Sequence, residues 1–134
     1  MADHTYVILA GSNCGDRSRA LGLLRRTLRS VGETVESQAV PTPDLTGSGA
    51  PYLNMIFVLQ TALEPEGLNA LFKDLERQAG RTPRSKALHR VELDADLVAA
   101  DGRILRWCDL ESAHFGLCLK TLPPWWQNEI KNYR

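Results

Sequence analysis

The sequence is poor in cysteine and carries no net charge. Cys14, Cys108 and Cys118 lie far apart in a chain of 134 residues, with no CxxC pair and no histidine at metal-ligand spacing. Neither a disulfide framework nor a zinc site is therefore indicated. The 16 Lys and Arg residues balance the 16 Asp and Glu residues. Because affinity for nucleic acid depends on surplus cations, a dedicated nucleic-acid-binding protein is disfavoured.

Long apolar runs are also missing. No stretch approaches the roughly 18 residues of a membrane span, and residues 1–4 lack the charged region of a signal peptide. We expect a cytoplasmic protein with reduced thiols and without a membrane partner, either a monomer or a small homo-oligomer. The hydrophobic fraction of 43% and the charged fraction of 24% are typical of a folded protein, and the length corresponds to one domain.

Hydrophobic periodicity predicts an alternation of strands and helices. Strands are predicted at 5–10, 34–40, 52–61 and 91–98, with helices between Asp16 and Gly32 and between Pro65 and Gly80. Asp101-Gly102 predicts a hairpin turn. This order predicts an α+β, ferredoxin-like βαββαβ sandwich, a mainly antiparallel sheet with helices on one face. We expect the core of this single domain to span about residues 5–105, with 106–134 as a C-terminal extension in which the patterns are weak.

The strand at 91–98 is unusually acidic on one face. Alternation places Glu92, Asp94 and Asp96 together, opposite an apolar face. Like charges on one strand face repel each other unless a cation compensates. Asp94 and Asp96, roughly 6 to 7 Å apart by the strand rise, could hold Mg²⁺ whose other positions go to water and phosphate oxygens. An edge strand with a solvated acidic face is the alternative interpretation.

A basic loop precedes this strand directly. Residues 80–90 carry Arg81, Arg84, Lys86 and Arg90 and no acid. Cations beside a carboxylate pair suit a nucleoside triphosphate, because metal ions and guanidinium groups neutralise phosphate oxygens from opposite sides. A solvated basic loop without a ligand is the alternative. The chain has no GxxxxGK[ST] motif, so a P-loop is not indicated.

A third group surrounds the start of the strand at 52–61. Tyr52 and Asn54 point to one face, and Thr42 and Pro43 lie in the Pro- and Gly-rich segment before them. An aromatic ring beside an amide could bind the face and the edge of a flat heterocycle. The alternative interpretation is a tyrosine with its hydroxyl in water and an asparagine that caps a turn. Gly11-Ser12-Asn13 is too short to be a phosphate-binding loop by itself, and we interpret it as a tight turn.

Together these segments resemble the 6-hydroxymethyl-7,8-dihydropterin pyrophosphokinase family of folate biosynthesis. The matching pieces, over roughly residues 5–105, are Gly11-Ser12-Asn13, Thr42-Pro43 with Leu45, Tyr52-Leu53-Asn54, Glu76, Gly80-Arg81 and Leu93-Asp94-Ala95-Asp96-Leu97. The resemblance implies transfer of a pyrophosphoryl group from ATP to the hydroxymethyl oxygen of the pterin, with Mg²⁺ as cofactor. Small molecules, ATP and the pterin, are then the partners.

The resemblance also implies roles for individual residues. Asp94 and Asp96 would bind two Mg²⁺ ions and, with Arg81, form the catalytic set, in which Asp94 orients or deprotonates the hydroxyl. The implied pterin pocket consists of Thr42, Pro43, Leu45, Tyr52 and Asn54, and the implied ATP contacts are Arg81, Arg84, Lys86, Arg90, Leu97 and His114.

The chain departs from the family pattern at Leu88, where long members carry Trp, and at Val91, where the family has Arg. A relative that binds a pterin or a nucleotide without catalysis is therefore one alternative. A ferredoxin-like interaction domain is the other. We expect Trp125 and Trp126 in the tail to pack back onto the core.

Overall fold

The computed structural model describes residues 3–43 and 50–134. The first half contains β1 (His4–Ser12), α1 (Arg17–Val31), β2 (Gly32–Glu36), β3 (Val40–Thr42) and β4 (Tyr52–Thr61). The second half contains α2 (Pro65–Gln78), β5 (Asp94–Ala100), β6 (Arg103–Ile104), α3 (Trp107–Leu110), α4 (Ala113–Leu119) and α5 (Pro124–Lys131). Within the described ranges, no helix is long and apolar enough to cross a membrane.

The sheet has β1 at its centre. The strand order is β2-β4-β1-β5-β6, β3 also pairs with β4, and every pairing is antiparallel. β1 lies between β4 and β5, the strands that precede and follow α2, whereas β2, which follows α1, lies on the far side of β4. This is the arrangement of two interleaved β-α-β units. The structure thus confirms the predicted α+β, ferredoxin-like fold.

Helices α1 and α2 cover one face of the sheet because each has an apolar stripe. Leu21, Leu24 and Leu28 of α1 and Leu68, Phe72 and Leu75 of α2 are buried against Tyr6, Ile8 and Phe57 of the sheet. Each such side chain contributes about 1.5 to 3 kcal/mol by leaving water. The predicted start of α1 at Asp16 is confirmed, and Asp16 caps the helix, since its carboxylate accepts a hydrogen bond from the Arg19 N–H.

The C-terminal segment, for which the sequence indicated no elements, covers the other face. Phe115 and Cys118 of α4 and Ile130 of α5 pack on a second apolar layer that includes Leu9 of β1. Trp126 also packs against this layer, as expected, but the expectation is wrong for Trp125, which is 63% exposed.

One predicted strand, at 34–40, is divided into β2 and β3. Ser37 is buried between them. The Ser37 hydroxyl accepts the Ile56 N–H of β4 at 2.8 Å, and the backbone N–H of Ser37 donates to the Ile56 carbonyl. The next N–H, that of Gln38, turns away to Thr121 Oγ1. The Ser37 hydroxyl thus takes the place of a backbone carbonyl as the acceptor for β4, and backbone pairing with β4 resumes at Val40.

Two glycines meet different requirements. Gly32 ends α1 as predicted. Its φ of 177° is extended backbone that any residue can adopt, so the turn itself does not require glycine. The close approach of β4 does, because a Cβ at this position would lie 2.2 Å from the Gln60 carbonyl oxygen. The predicted turn at Asp101-Gly102 is confirmed. Its φ values of 52° and 82° are both positive, which is the geometry of a tight two-residue hairpin between β5 and β6.

His4 ties the start of β1 to this hairpin. Its Nδ1 lies 2.8 Å from Asp101 Oδ2 and its Nε2 lies 3.3 Å from Glu64 Oε2. Asp101 Oδ1 accepts the Thr5 N–H at 2.8 Å. The hydrogen bonds to Asp101 and then to Glu64 raise the pKa of His4, and the bond with His4 lowers the pKa of Asp101.

We expect this cluster to make stability depend on pH. Because the pKa of His4 is raised in the folded state, its contribution is complete below the ordinary value of 6.5 and is lost as the pH rises through the folded value. His4→Gln should remove that decline from the urea unfolding free energy measured against pH. His89→Gln, at an exposed loop position, should retain it. If the unfolding free energy of His4→Gln still declined as the pH rose above 6.5, His4 would not be the source of the pH dependence.

Candidate functional site

A cavity of about 270 Å³ lies where β1 ends. Gly11 of β1 pairs with Asn54 of β4 on one side and with Asp94 of β5 on the other. The lining residues are Leu9, Ala10, Gly11, Thr42, Pro43, Tyr52, Asn54, Asp94, Asp96, Asp109 and His114. The structure therefore brings together two groups that the sequence showed separately: the carboxylate pair (Asp94 and Asp96) and the β3–β4 wall (Thr42, Pro43, Tyr52 and Asn54).

The carboxylate pair carries incompletely compensated negative charge. Burial and, after it, the neighbouring Asp94 carboxylate raise the pKa of Asp96 to about 7, while the positive charge of Arg106 opposes the shift. The Asp94 side chain is 44% exposed. A divalent cation beside the pair would relieve the repulsion between the two carboxylates.

The donor set fits Mg²⁺ better than a metal enclosed entirely by protein. Among residues 3–43 and 50–134, no cluster of three or more His, Cys, Asp or Glu side chains could enclose a metal ion. Mg²⁺ is commonly held by one or two carboxylates, with phosphate and water oxygens completing its shell. Asp94 and Asp96 provide that number of carboxylates and leave the remaining positions open to the cavity.

Arg81 lies beside the pair because Glu76 of α2 holds it there. Its Nη1 is 3.3 Å from Glu76 Oε1 and 3.7 Å from Asp94 Oδ1. The other Glu76 oxygen, Oε2, accepts the Ala95 N–H at 3.3 Å. One carboxylate of α2 therefore positions both the strand that carries the aspartates and the first cation of the basic loop.

The β3–β4 wall is held by the side chain of Asn54. Its Nδ2 donates to Thr42 Oγ1 at 2.7 Å and to the Val40 carbonyl at 3.2 Å, so both amide hydrogens are used. The acceptor Oδ1 is then the amide atom that can bind a donor on a ligand. A Cβ at Gly11 would lie 3.3 Å from this Oδ1 and 3.5 Å from Tyr52 Cδ1, so glycine keeps space open at the wall.

Several predicted residues do not reach the cavity. The Leu97 side chain is buried in the core beneath α1 and α2, because alternation along β5 turns it to the face opposite Asp96. This side chain does not line the cavity, and the role of Leu97 as an ATP contact stays a prediction. Arg84, Lys86 and Arg90 lie exposed on the basic loop, and their role stays a prediction. Leu45 falls outside the described residues.

The placement of Glu92 beside Asp94 and Asp96 is also wrong. Strand β5 begins at Asp94, not at Val91, so the alternation does not extend back to Glu92. Its carboxylate is buried next to Ser85 of the basic loop, and Oε2 accepts the Ser85 hydroxyl at 3.0 Å. The acidic face of the strand consists of the two aspartates alone.

Ser12 and Asn13 are more than a tight turn. Both are buried, and Ser12 Oγ donates to the Glu92 carbonyl at 2.7 Å. The Asn13 side chain accepts the Val91 N–H at 2.6 Å and donates to the His89 carbonyl at 3.2 Å. These bonds join the end of β1 to the segment before Asp94. In the sequence, the only indication that Ser12 and Asn13 join these segments was the position of Gly11-Ser12-Asn13 directly after an apolar strand.

Arg106 and Asp109 were missed entirely. Asp109 on α3 lines the cavity and forms an ion pair with Arg106, whose charge in turn acts on Asp96. Hydrogen bonding to Asp109 and then the charge of Asp96 raise the pKa of Arg106. A helix of four residues has no apolar periodicity from which this placement could be predicted.

We expect Asn13→Ala to destabilise the protein by about 2 kcal/mol, because it leaves the Val91 N–H and the His89 carbonyl without their partner. Urea unfolding measures the loss. Asn69→Ala, on the exposed surface of α2, is the matched control and should change stability by less than about 0.5 kcal/mol. Equal stability of the two variants would show that Asn13 does not hold this segment.

The comparison with protein families finds one match. The model described as 7,8-dihydro-6-hydroxymethylpterin-pyrophosphokinase (HPPK) matches residues 7–125, from β1 into α5. No curated protein matches the chain. The family match includes both the carboxylate pair and the β3–β4 wall. The chain belongs to the 7,8-dihydro-6-hydroxymethylpterin pyrophosphokinase family.

Proposed function

We propose that this chain transfers the pyrophosphoryl group of ATP to the hydroxymethyl oxygen of 6-hydroxymethyl-7,8-dihydropterin, with Mg²⁺ as cofactor. Membership of a pyrophosphokinase family supports the reaction class. The observation that carries the proposal is the shared cavity, with the carboxylate pair on one side and the β3–β4 wall on the other. Direct transfer requires both substrates in one site, where positioning supplies much of the rate enhancement.

On the phosphate side, the lining acids of the cavity lie close to Arg81, whose Nη1 is 3.7 Å from Asp94 Oδ1. Asp94 and Asp96 would hold Mg²⁺, which when bound neutralises phosphate oxygens. Arg81, fixed by Glu76 at 3.3 Å, would bind the triphosphate from the loop side through charge-assisted hydrogen bonds. His114 lines the same cavity and is the nucleotide contact we propose on the C-terminal side.

The wall would hold the pterin. The Tyr52 ring offers a face for stacking, and Asn54 Oδ1 accepts an N–H from the edge of the ring. With the pterin held there, its hydroxymethyl group would extend toward Asp94, which lines the same cavity. Asp94 would orient the hydroxyl or accept its proton while the oxygen attacks the β-phosphorus. The bond from that phosphorus to the bridging oxygen of the α-phosphate breaks, and AMP leaves.

We expect Asp96→Asn to abolish turnover without unfolding the protein. Removing one carboxylate should lower AMP formation from ATP and the pterin at least about 10²-fold. The same change removes the repulsion with Asp94, so the melting temperature without Mg²⁺ should be equal or higher. Chromatographic AMP detection and calorimetric melting measure the two effects.

Asp74→Asn is the matched control, because this exposed carboxylate of α2 pairs only with its helix neighbours Arg77 and Gln78 in the described structure. It should leave turnover unchanged. Turnover retained by Asp96→Asn would contradict the proposal. An unaltered chain that binds Mg²⁺-nucleotide and pterin but forms no AMP would instead be a non-catalytic member of the family.

We expect Gly11→Ala to weaken pterin binding several-fold while affecting nucleotide binding less. The added methyl group would lie 3.3 Å from Asn54 Oδ1, where little movement is available because β3 holds the amide. Calorimetric titration with each ligand measures the difference. Gly67→Ala in α2, where the nearest atom is 3.8 Å away, is the control. Unchanged pterin affinity in Gly11→Ala would show that the ligand does not contact this part of the wall.

A further inference from the structure

The basic loop has one buried residue. In 81–90 every residue is exposed except Ser85, of which 3% is exposed. The Ser85 hydroxyl accepts the Thr82 N–H at 3.0 Å, and its carbonyl accepts the Arg90 N–H at 2.9 Å. The loop thus folds around Ser85, the one residue of 81–90 that is buried in the protein interior.

The partner of Ser85 inside the protein is the Glu92 carboxylate. Oε2 accepts the Ser85 hydroxyl at 3.0 Å, whereas Oε1 is buried without a hydrogen-bond partner in the described structure. The nearest cation is Arg90, whose Nε lies 3.9 Å from Oε2 and whose side chain is 55% exposed. Burying a carboxylate with one oxygen unbonded and only a half-exposed arginine at 3.9 Å is unfavourable, and an apolar residue of the same size would stabilise the fold at least as well.

Glu92 connects the loop to the carboxylate pair through the backbone. Its carbonyl accepts the Ser12 hydroxyl at the end of β1, and Asp94 follows two residues later. Gly80, at the start of the loop, packs against Glu92, since a Cβ there would lie 3.7 Å from Glu92 Cγ. The bond to Ser85 therefore fixes the middle of the loop relative to the strand on which Asp94 lies.

We propose that Glu92 is a positioning residue of the nucleotide site. Its bond with Ser85, the Ser85–Glu92 latch, holds the basic loop so that Arg81 stays beside Asp94 and Arg84 and Lys86 are presented to a triphosphate. The inference rests on the proposed function and adds to it a residue that touches no substrate. A latch that orders the loop beforehand lowers the entropy lost when the nucleotide binds.

The test removes both partners at once, in Ser85→Ala/Glu92→Met. Apolar groups replace both partners of the buried bond, and the Thr82 N–H, which loses its acceptor, belongs to an exposed residue and can bond to water. The melting temperature should therefore be unchanged or higher. Trypsin should nevertheless cut the folded protein after Arg81, Arg84, Lys86 or Arg90 about tenfold faster, as expected when a hydrogen bond to a charged group no longer restrains local opening. Mass spectrometry of the fragments measures the rate. The KM for ATP should rise several-fold while the KM for the pterin stays the same.

Two variants provide controls. Glu92→Gln keeps an acceptor for Ser85, so its cleavage rate should stay near that of the unaltered chain. Ser37→Ala removes another buried serine hydroxyl, which is bonded to the Ile56 N–H. It should lower the melting temperature without accelerating cleavage in the loop.

The outcomes separate the latch from the proposed function. Cleavage is measured without substrates, so a chain with no turnover but with faster cleavage of the double variant overturns the function and retains the latch. An unchanged cleavage rate in the double variant overturns the latch. Faster cleavage with an unchanged KM for ATP, or with equal rises in both KM values, overturns the positioning role.

Discussion

The site depends on the register in which β1 pairs with its two neighbours. Gly11 lies opposite Asn54 on β4 and opposite Asp94 on β5, so the β3–β4 wall and the carboxylate pair meet at one end of the sheet and on one face. A shift of β5 by one residue would turn Asp94 and Asp96 into the core beneath α1 and α2. Apolar burial on that face therefore sets which side of the sheet becomes the site.

Both ends of β5 are fixed, and an irregularity reconciles them. At one end the hairpin is tied to β1 through His4 and Asp101; at the other, Asp94 is opposite Gly11. The pairing shifts between Val7 and Ile8, where β5 has one extra residue, Val98. Such a bulge lets the strand satisfy both attachments while its apolar residues stay buried.

Local patterns predicted the parts of the structure that depend on local periodicity. The limits of β4, the stripes of α1 and α2, the Asp101-Gly102 turn and the alternation of Asp94 and Asp96 could all be predicted in this way. The positions of Ser37 and Glu92 could not, because they follow from hydrogen bonds between distant segments, such as Ser12 with the Glu92 carbonyl. The C-terminal helices are too short for a periodic signal, so Arg106 and Asp109 were missed with them.

Each arginine near the carboxylate pair also contacts another acid, which leaves the charge of the pair incompletely neutralised. Arg81 lies between Glu76 and Asp94, and Arg106 pairs with Asp109 while its charge also acts on Asp96. Each aspartate thus faces an arginine already engaged by another acid, so the charge of the pair is only partly neutralised. Burial, with the charge of Asp94 as the second cause, raises the pKa of Asp96 to about 7. An arginine bound bidentately to either aspartate would stabilise the fold but occupy the oxygens that a cation needs. Glu76 and Asp109 prevent that closure by holding the two guanidinium groups at the margin of the site.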